Sequence, residues 1–114
     1  MGYSRKSPRF EVNFGSTFAG EFLAGQGTVT NLSVGGCSIE STITPTTQSV
    51  VGLKIRLPDS RWPLDVEQAV VRWVRGNTFG LEFHALSAAD RARLQHLLHD
   101  LDQGPLVVMQ RTAH

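Results

Sequence analysis

At 114 residues the chain has room for one domain with a single modest core, and not for two. A formal net charge of +1 excludes a global field that would gather nucleic acid or an anionic membrane. The single cysteine, Cys37, excludes an internal disulfide and fits a reducing compartment. No apolar run reaches the length of a signal h-region or a membrane span, and Lys6 stands where a myristoylation pattern needs Ser or Thr. The expected location is the cytoplasm, without direct membrane insertion.

In chain order, residues 1–9 come first, a polar segment in which Arg5, Lys6 and Arg9 all precede the first acid, Glu11. With few apolar anchors it is expected to be flexible. Phe10, Val12 and Phe14 alternate with Glu11 and Asn13, the pattern of a half-buried strand. "FAGEFLAGQG" (18–27) is expected to form a second strand that ends in a glycine-flanked turn. Two short strands follow, Thr28–Leu32 and Gly36–Glu40, around a Ser-Val-Gly-Gly bend, and then a loop over 44–49.

Over 50–58, Val51, Leu53, Ile55 and Leu57 face one way and Lys54 and Arg56 the other, before a turn at Pro58-Asp59-Ser60. Leu64–Arg75 is a long strand whose end is apolar on both faces; "RGN" (75–77) turns it into a last strand, Thr78–His84. Ser87, with Asp90 three residues on, starts a helix carrying Leu94, Leu97, Leu98 and Leu101 at helical spacing, with Gly104-Pro105 expected to end it. The leucine stripe either packs on the strands or makes a dimer contact. The expected fold is all-β with one C-terminal helix: an antiparallel barrel of about six strands over 10–103, with the helix against it and a tail over 104–114.

Two constellations carry chemistry. Pro8 keeps helix out of the first segment, and in an extended chain Arg5 and Arg9 share a side opposite Phe10, Val12 and Phe14. Two guanidiniums so placed either serve as a solvated basic tail or grip phosphates and the O6/N7 edge of guanine. In "NLSVGG", Asn31 and Ser33 are two apart on one strand, although Val29 shares their parity and blurs the face. An amide and a hydroxyl side by side can serve a purine edge, and Gly35 and Gly36 let a ligand approach the backbone; the plain alternative is a turn into a Gly-Gly bend.

"RxxxR" at 5–9 followed by "NxSxxG" at 31–36 resembles the motif pair of the PilZ domain, a family of small bacterial β-barrels that bind cyclic di-GMP. "VVRWVRGNTFGLEFHALSAADRARLQHLL" is similar to that family's closing hairpin and terminal helix, so the resemblance spans roughly residues 3–101. It implies that Arg5 and Arg9 clamp phosphates and guanine edges, that Asn31 and Ser33 hold guanine polar groups, and that Gly36 keeps the strand junction open. Asn31 stands where the family often has Asp, which weakens recognition of guanine N1–H and N2–H₂. Ser4 replaces a further arginine found in many relatives, which points to one ligand molecule per site.

The function so implied is a cyclic di-GMP receptor and adaptor that orders its arginine segment over the ligand. It would signal to a downstream protein partner in motility or polysaccharide secretion. The alternative is a PilZ-like interaction module without nucleotide. No cofactor, metal or nucleic acid is expected, and no catalysis.

Five further residues complete the reading. Trp73 either stacks on a guanine or closes the barrel end, and Lys6 adds charge. Cys37 is expected to be a buried small hydrophobe. His96 and His99 lie three apart on the predicted helix and read as a solvated face in preference to metal ligands.

Overall fold

Along the first strand the residues at even positions lie deeper than their neighbours from Phe10 through Phe18, so β1 runs Phe10–Ala19. The chain then turns at 20–23, where the Gly20 N–H donates to the Leu23 carbonyl at 2.7 Å, and returns as β2 (Ala24–Leu32). The expected strand over 18–27 is thus corrected to two strand ends and the hairpin between them. Phe18 continues the inward alternation of Phe10, Val12 and Phe14, and it pairs with Gly25 across the hairpin.

The computed structural model, which describes residues 8–58 and 60–112, continues with β3 (Gly36–Glu40), β4 (Val50–Ile55), β5 (Leu64–Arg75) and β6 (Thr78–Leu86). The six strands form a closed barrel in the order β1-β2-β3-β6-β5-β4, every pairing antiparallel. Closure removes the exposed edges that an open sheet of short strands would present. In β4 the alternation holds as expected: Val51, Leu53 and Ile55 are buried, Leu57 follows them inward, and Lys54 and Arg56 are exposed. The β5–β6 turn places Gly76 at φ +58°, the left-handed conformation that a two-residue hairpin needs at its first position. Inside, Phe18 meets Phe79 edge to face, with ring centroids 5.1 Å apart.

The helix α1 (Ala88–Thr112) opens on Ser87, whose Oγ accepts from the Asp90 N–H at 3.0 Å and donates to the Asp90 carboxylate at 3.2 Å. Leu94 and Leu98 are buried in the core, and Leu97 and Leu101 pack against it. The leucine stripe therefore covers the barrel. Arg93 fastens the β4–β5 connection to the helix through the Pro63 carbonyl and Ser60 Oγ, each at 3.0 Å. The expected stop at Gly104-Pro105 is not where the helix ends: its backbone runs on to Thr112. A proline inside a helix lacks the N–H that would reach the carbonyl one turn back and its ring crowds that oxygen, a cost of about 3 kcal/mol or more that this helix carries. Of the segment 1–9 expected to be flexible, residues 1–7 lie outside the described residues.

Candidate ligand-binding site

The bend between β2 and β3 is built by a bulge. Val29 pairs with Ile39 and Asn31 with Ser38, so two steps on β2 oppose one on β3, with Thr30 as the extra residue. That step resolves the parity conflict. Val29 and Leu32, three apart, both reach the core, and neither the parity of Asn31 nor that of Ser33 has to match Val29. Thr30 Oγ1 and Ser38 Oγ hydrogen-bond at 3.0 Å across the bulge.

Ser33 closes the bend on itself. Its N–H donates to the Gly36 carbonyl at 2.9 Å, its hydroxyl donates to the same oxygen at 3.3 Å, and the Gly35 N–H donates to its Oγ at 3.3 Å. A Ser hydroxyl accepting two residues on is the usual chemistry of such a turn. The Phe83 N–H then donates to the Gly35 carbonyl at 2.8 Å and ties the bend to β6. At Gly36 a Cβ would collide with the Leu81 carbonyl oxygen, so glycine is required there by the close approach of β3 to β6. Gly35 has open space around it.

This bend forms one wall of a concavity of about 330 Å³, whose lining includes Arg9, Ser33, Gly35, Gly36, Arg72, Trp73 and Glu82. Trp73 reaches it from β5 with its pyrrole edge lying across Gly80 of β6, a position only glycine leaves open. The Arg75 guanidinium stands 5.2 Å from the Trp73 ring centroid, within cation–π range. Three regions far apart in sequence, Arg9, the β2–β3 bend and the β5–β6 hairpin, thus meet at one surface.

The electrostatics are mixed in sign. Arg72 Nε donates to Glu82 Oε1 at 2.6 Å, and that hydrogen bond, with the charge of Arg72 and the nearness of His84 at 3.6 Å, holds the Glu82 carboxyl below its ordinary range. Glu82 is therefore ionised and paired. Burial pushes the Cys37 thiol up to about 12, against a smaller lowering by the charge of Arg9, so Cys37 is a neutral floor for the site.

Of the residues singled out in the sequence, Arg9, Ser33, Gly35, Gly36 and Trp73 come together in this concavity. Trp73 is neither core nor fully exposed, since it is half-buried against Gly80. Asn31 stands apart from the lining: its side chain is partly buried and its Oδ1 is sealed from solvent without a hydrogen-bond partner among the described residues. Ser4, Arg5 and Lys6 lie outside the described residues. Arg72, Gly80, Leu81 and Glu82 line the concavity unanticipated. Their signal was the strand pairing, since Glu82 falls in register opposite Gly36 and Trp73 opposite Gly80. Elsewhere, no group of three or more His, Cys, Asp or Glu among the described residues is arranged to hold a metal ion, and His96 faces Asp100 at 3.4 Å. No helix among them is long and apolar enough to cross a membrane.

The family model of the PilZ domain matches residues 3–100. The chain belongs to the PilZ domain family. This PilZ barrel is similar to that of MotI/DgrA, an inhibitor of motility from Bacillus subtilis, at TM-score 0.71 and 22% identity over 90% of this chain and 51% of that one. It is similar to YcgR of Escherichia coli, solved in complex with c-di-GMP, at TM-score 0.77 and 11% identity over 95% of this chain and 50% of that one. The PilZ domain of CeSA from a cellulose-synthesizing bacterium matches at TM-score 0.67 and 14% identity, over 84% of this chain and 99% of that one. The chain thus spans about half the length of the first two proteins and nearly all of the third. Identities this low establish a shared fold. A search of curated protein sequences returns no match.

Proposed function

We propose that this PilZ domain is a receptor for cyclic di-GMP that relays the ligand's presence to a protein partner. The observation that carries the reading is the concavity in which Arg9 of the first motif meets Ser33, Gly35 and Gly36 of the second, with Trp73 beside them. Its volume falls within the range of small-ligand clefts, ~300–1,000 Å³. YcgR, a structural neighbour, is a protein solved with c-di-GMP bound.

In this reading Arg9 and Arg5 take the phosphates and the O6/N7 edges of guanine, where bidentate guanidinium contacts are the strong ones. Ser33 shapes the bend, Gly35 admits the ligand to the backbone, and Trp73 stacks on a guanine face. Asn31 lies on β2 in register with Glu11 of β1. Ligand draws the arginines onto its phosphates and fixes residues 1–9, Ser4 and Lys6 among them, across the barrel face. The surface so remodelled is what a partner in motility or polysaccharide secretion reads. Nothing in this scheme asks the domain for catalysis.

A second reading, a PilZ interaction module that binds no nucleotide, draws on one observation. The Ser33 hydroxyl is engaged inside its own turn and Asn31 Oδ1 is sealed, so neither oxygen is free for a ligand. Calorimetric titration of cyclic di-GMP into the full chain separates the two. Saturable binding that Arg9→Ala weakens at least tenfold supports the receptor; no heat at millimolar ligand supports the docking module.

A further inference from the structure

One charged pair in the concavity is not accounted for by either motif. β5 pairs Val71 with Leu81 and Trp73 with Gly80, which leaves Arg72 as the extra residue of a bulge. A bulge of this kind re-aims the side chain that it carries. Two anchors hold the guanidinium: Nε donates to Glu82 Oε1 at 2.6 Å, and Nη1 donates to Gln48 Oε1 at 3.3 Å. Gln48 is itself fixed, with its N–H on the Val71 carbonyl at 2.7 Å and a φ of +74° that few non-glycine residues adopt. Glu82 lies in register opposite Gly36, and His84 Nε2 stands 3.6 Å from the same Oε1.

These contacts leave three of the five arginine N–H donors, and Glu82 Oε2, without a protein partner among the described residues. Both side chains stay about half exposed, at 44% and 50%, so a ligand can reach them. An arginine beside a carboxylate presents two donors followed by two acceptors. The edge of guanine presents the complement, with acceptors at N7 and O6 followed by donors at N1–H and N2–H₂. Adenine inverts the two central positions: its amino group meets the guanidinium, and its bare N1 meets the carboxylate.

We propose that the Arg72–Glu82 pair is the purine selector of this site for one of the two bases, Arg72 donating to O6 and N7 of that guanine and Glu82 accepting from its N1–H and N2–H₂, while Arg5 and Arg9 serve the phosphates and the other guanine. The pair supplies the carboxylate that Asn31, an amide with a sealed oxygen, does not bring. The proposal rests on the reading of the concavity as a cyclic dinucleotide site.

The test is a pair of titrations, cyclic di-GMP and cyclic di-AMP, on the full chain and on Glu82→Gln and Arg72→Gln. Glu82→Gln keeps an acceptor for Arg72 and sits on the surface, and thermal melts confirm that each variant is folded. The expected result is a wild-type preference for cyclic di-GMP that Glu82→Gln and Arg72→Gln each reduce about tenfold, with cyclic di-AMP affinity unchanged or raised. A wild-type preference that both variants retain overturns the selector and leaves the receptor standing. Absence of binding of either dinucleotide to the wild type overturns the receptor and the selector with it.

Discussion

Replacing Gly36 by Ala separates two explanations of the second motif. The glycine serves either to admit ligand or to let two strands touch. Gly36 is not in the left-handed region, so alanine fits its backbone conformation and space alone decides. A Cβ there meets the Leu81 carbonyl oxygen closer than real Cβ atoms come, and the next neighbours are the Leu81 carbonyl carbon at 3.3 Å and Glu82 Cα at 3.4 Å. All three are backbone atoms of β6, with no flexible side chain to yield. β3 must therefore back away from β6. The bonds at risk are the Ser33 N–H to the Gly36 carbonyl, 2.9 Å, and the Phe83 N–H to the Gly35 carbonyl, 2.8 Å.

Losing one or both costs about 1 kcal/mol each, and overpacking adds ~1–3 kcal/mol. The stiffer unfolded chain of the alanine variant returns ~0.5–1 kcal/mol. The net loss is about 1–4.5 kcal/mol, or a Tm drop of roughly 4–20 °C for a domain of this size. Gly35→Ala is the matched control, since nothing lies within 4 Å of its Cβ, and it should stay within about 0.5 kcal/mol of wild type. Urea denaturation and thermal melts of both variants read the difference. A Gly36→Ala protein that melts within about 2 °C of wild type would refute the strand-contact argument and return the glycine to a ligand role.

Ser87→Ala removes the hydroxyl that accepts from the Asp90 N–H, and should cost about 1 kcal/mol in urea denaturation. No loss would mean that the helix start is held by its leucines alone. Trp73→Ala should weaken cyclic di-GMP binding by roughly 5- to 150-fold, the ~1–3 kcal/mol of one stacked base, while Trp73→Phe retains most of it; equal binding by both variants would place Trp73 outside the site. Cys37 gives a pH signature. Its thiol is raised from 9.0 to about 12 in the fold, so the unfolded chain gives up its proton first. The contribution is fully present below pH 9 and is lost as pH climbs towards 12. Urea midpoints measured at stepped alkaline pH should therefore fall more steeply for wild type than for Cys37→Ala, and parallel curves would contradict the assignment.

Much of the fold was legible because inward and outward residues alternate without interruption where a strand is plain. β4 and the hairpin at Arg75-Gly76-Asn77 were read directly from that pattern and from the glycine of the turn. The β1–β2 hairpin was misplaced because Phe22 and Leu23 look like strand residues, yet Phe22 projects into solvent from the turn at 91% exposure. Apolarity alone does not distinguish the tip of a hairpin from its arms. The helix end was misplaced for a different reason: Gly-Pro disfavours helix by a finite cost, about 3 kcal/mol or more for the proline, and a finite cost does not oblige the helix to stop.

At the site, the motif residues were legible one stretch at a time, since each is a short local pattern. Arg72 and Glu82 were not: the β5–β6 hairpin is local, but the bulge at Arg72 within it and the pairing of β6 with β3, which sets Glu82 opposite Gly36, are contained in no short window of sequence. The Thr30 bulge is intermediate. The clash of parity between Val29 and Asn31 signalled an irregularity, and only the pairing with β3 located it.

The most direct test of the central claim is to titrate cyclic di-GMP into isotopically labelled full chain and follow the backbone amide resonances. Saturable shifts are expected at Arg9, at Ser33–Cys37, at Arg72 and Trp73, and at Gly80–Glu82, with little change around Phe22, Ile43 and Val50. Shifts centred on that second group, or none at ligand excess, would contradict the claim.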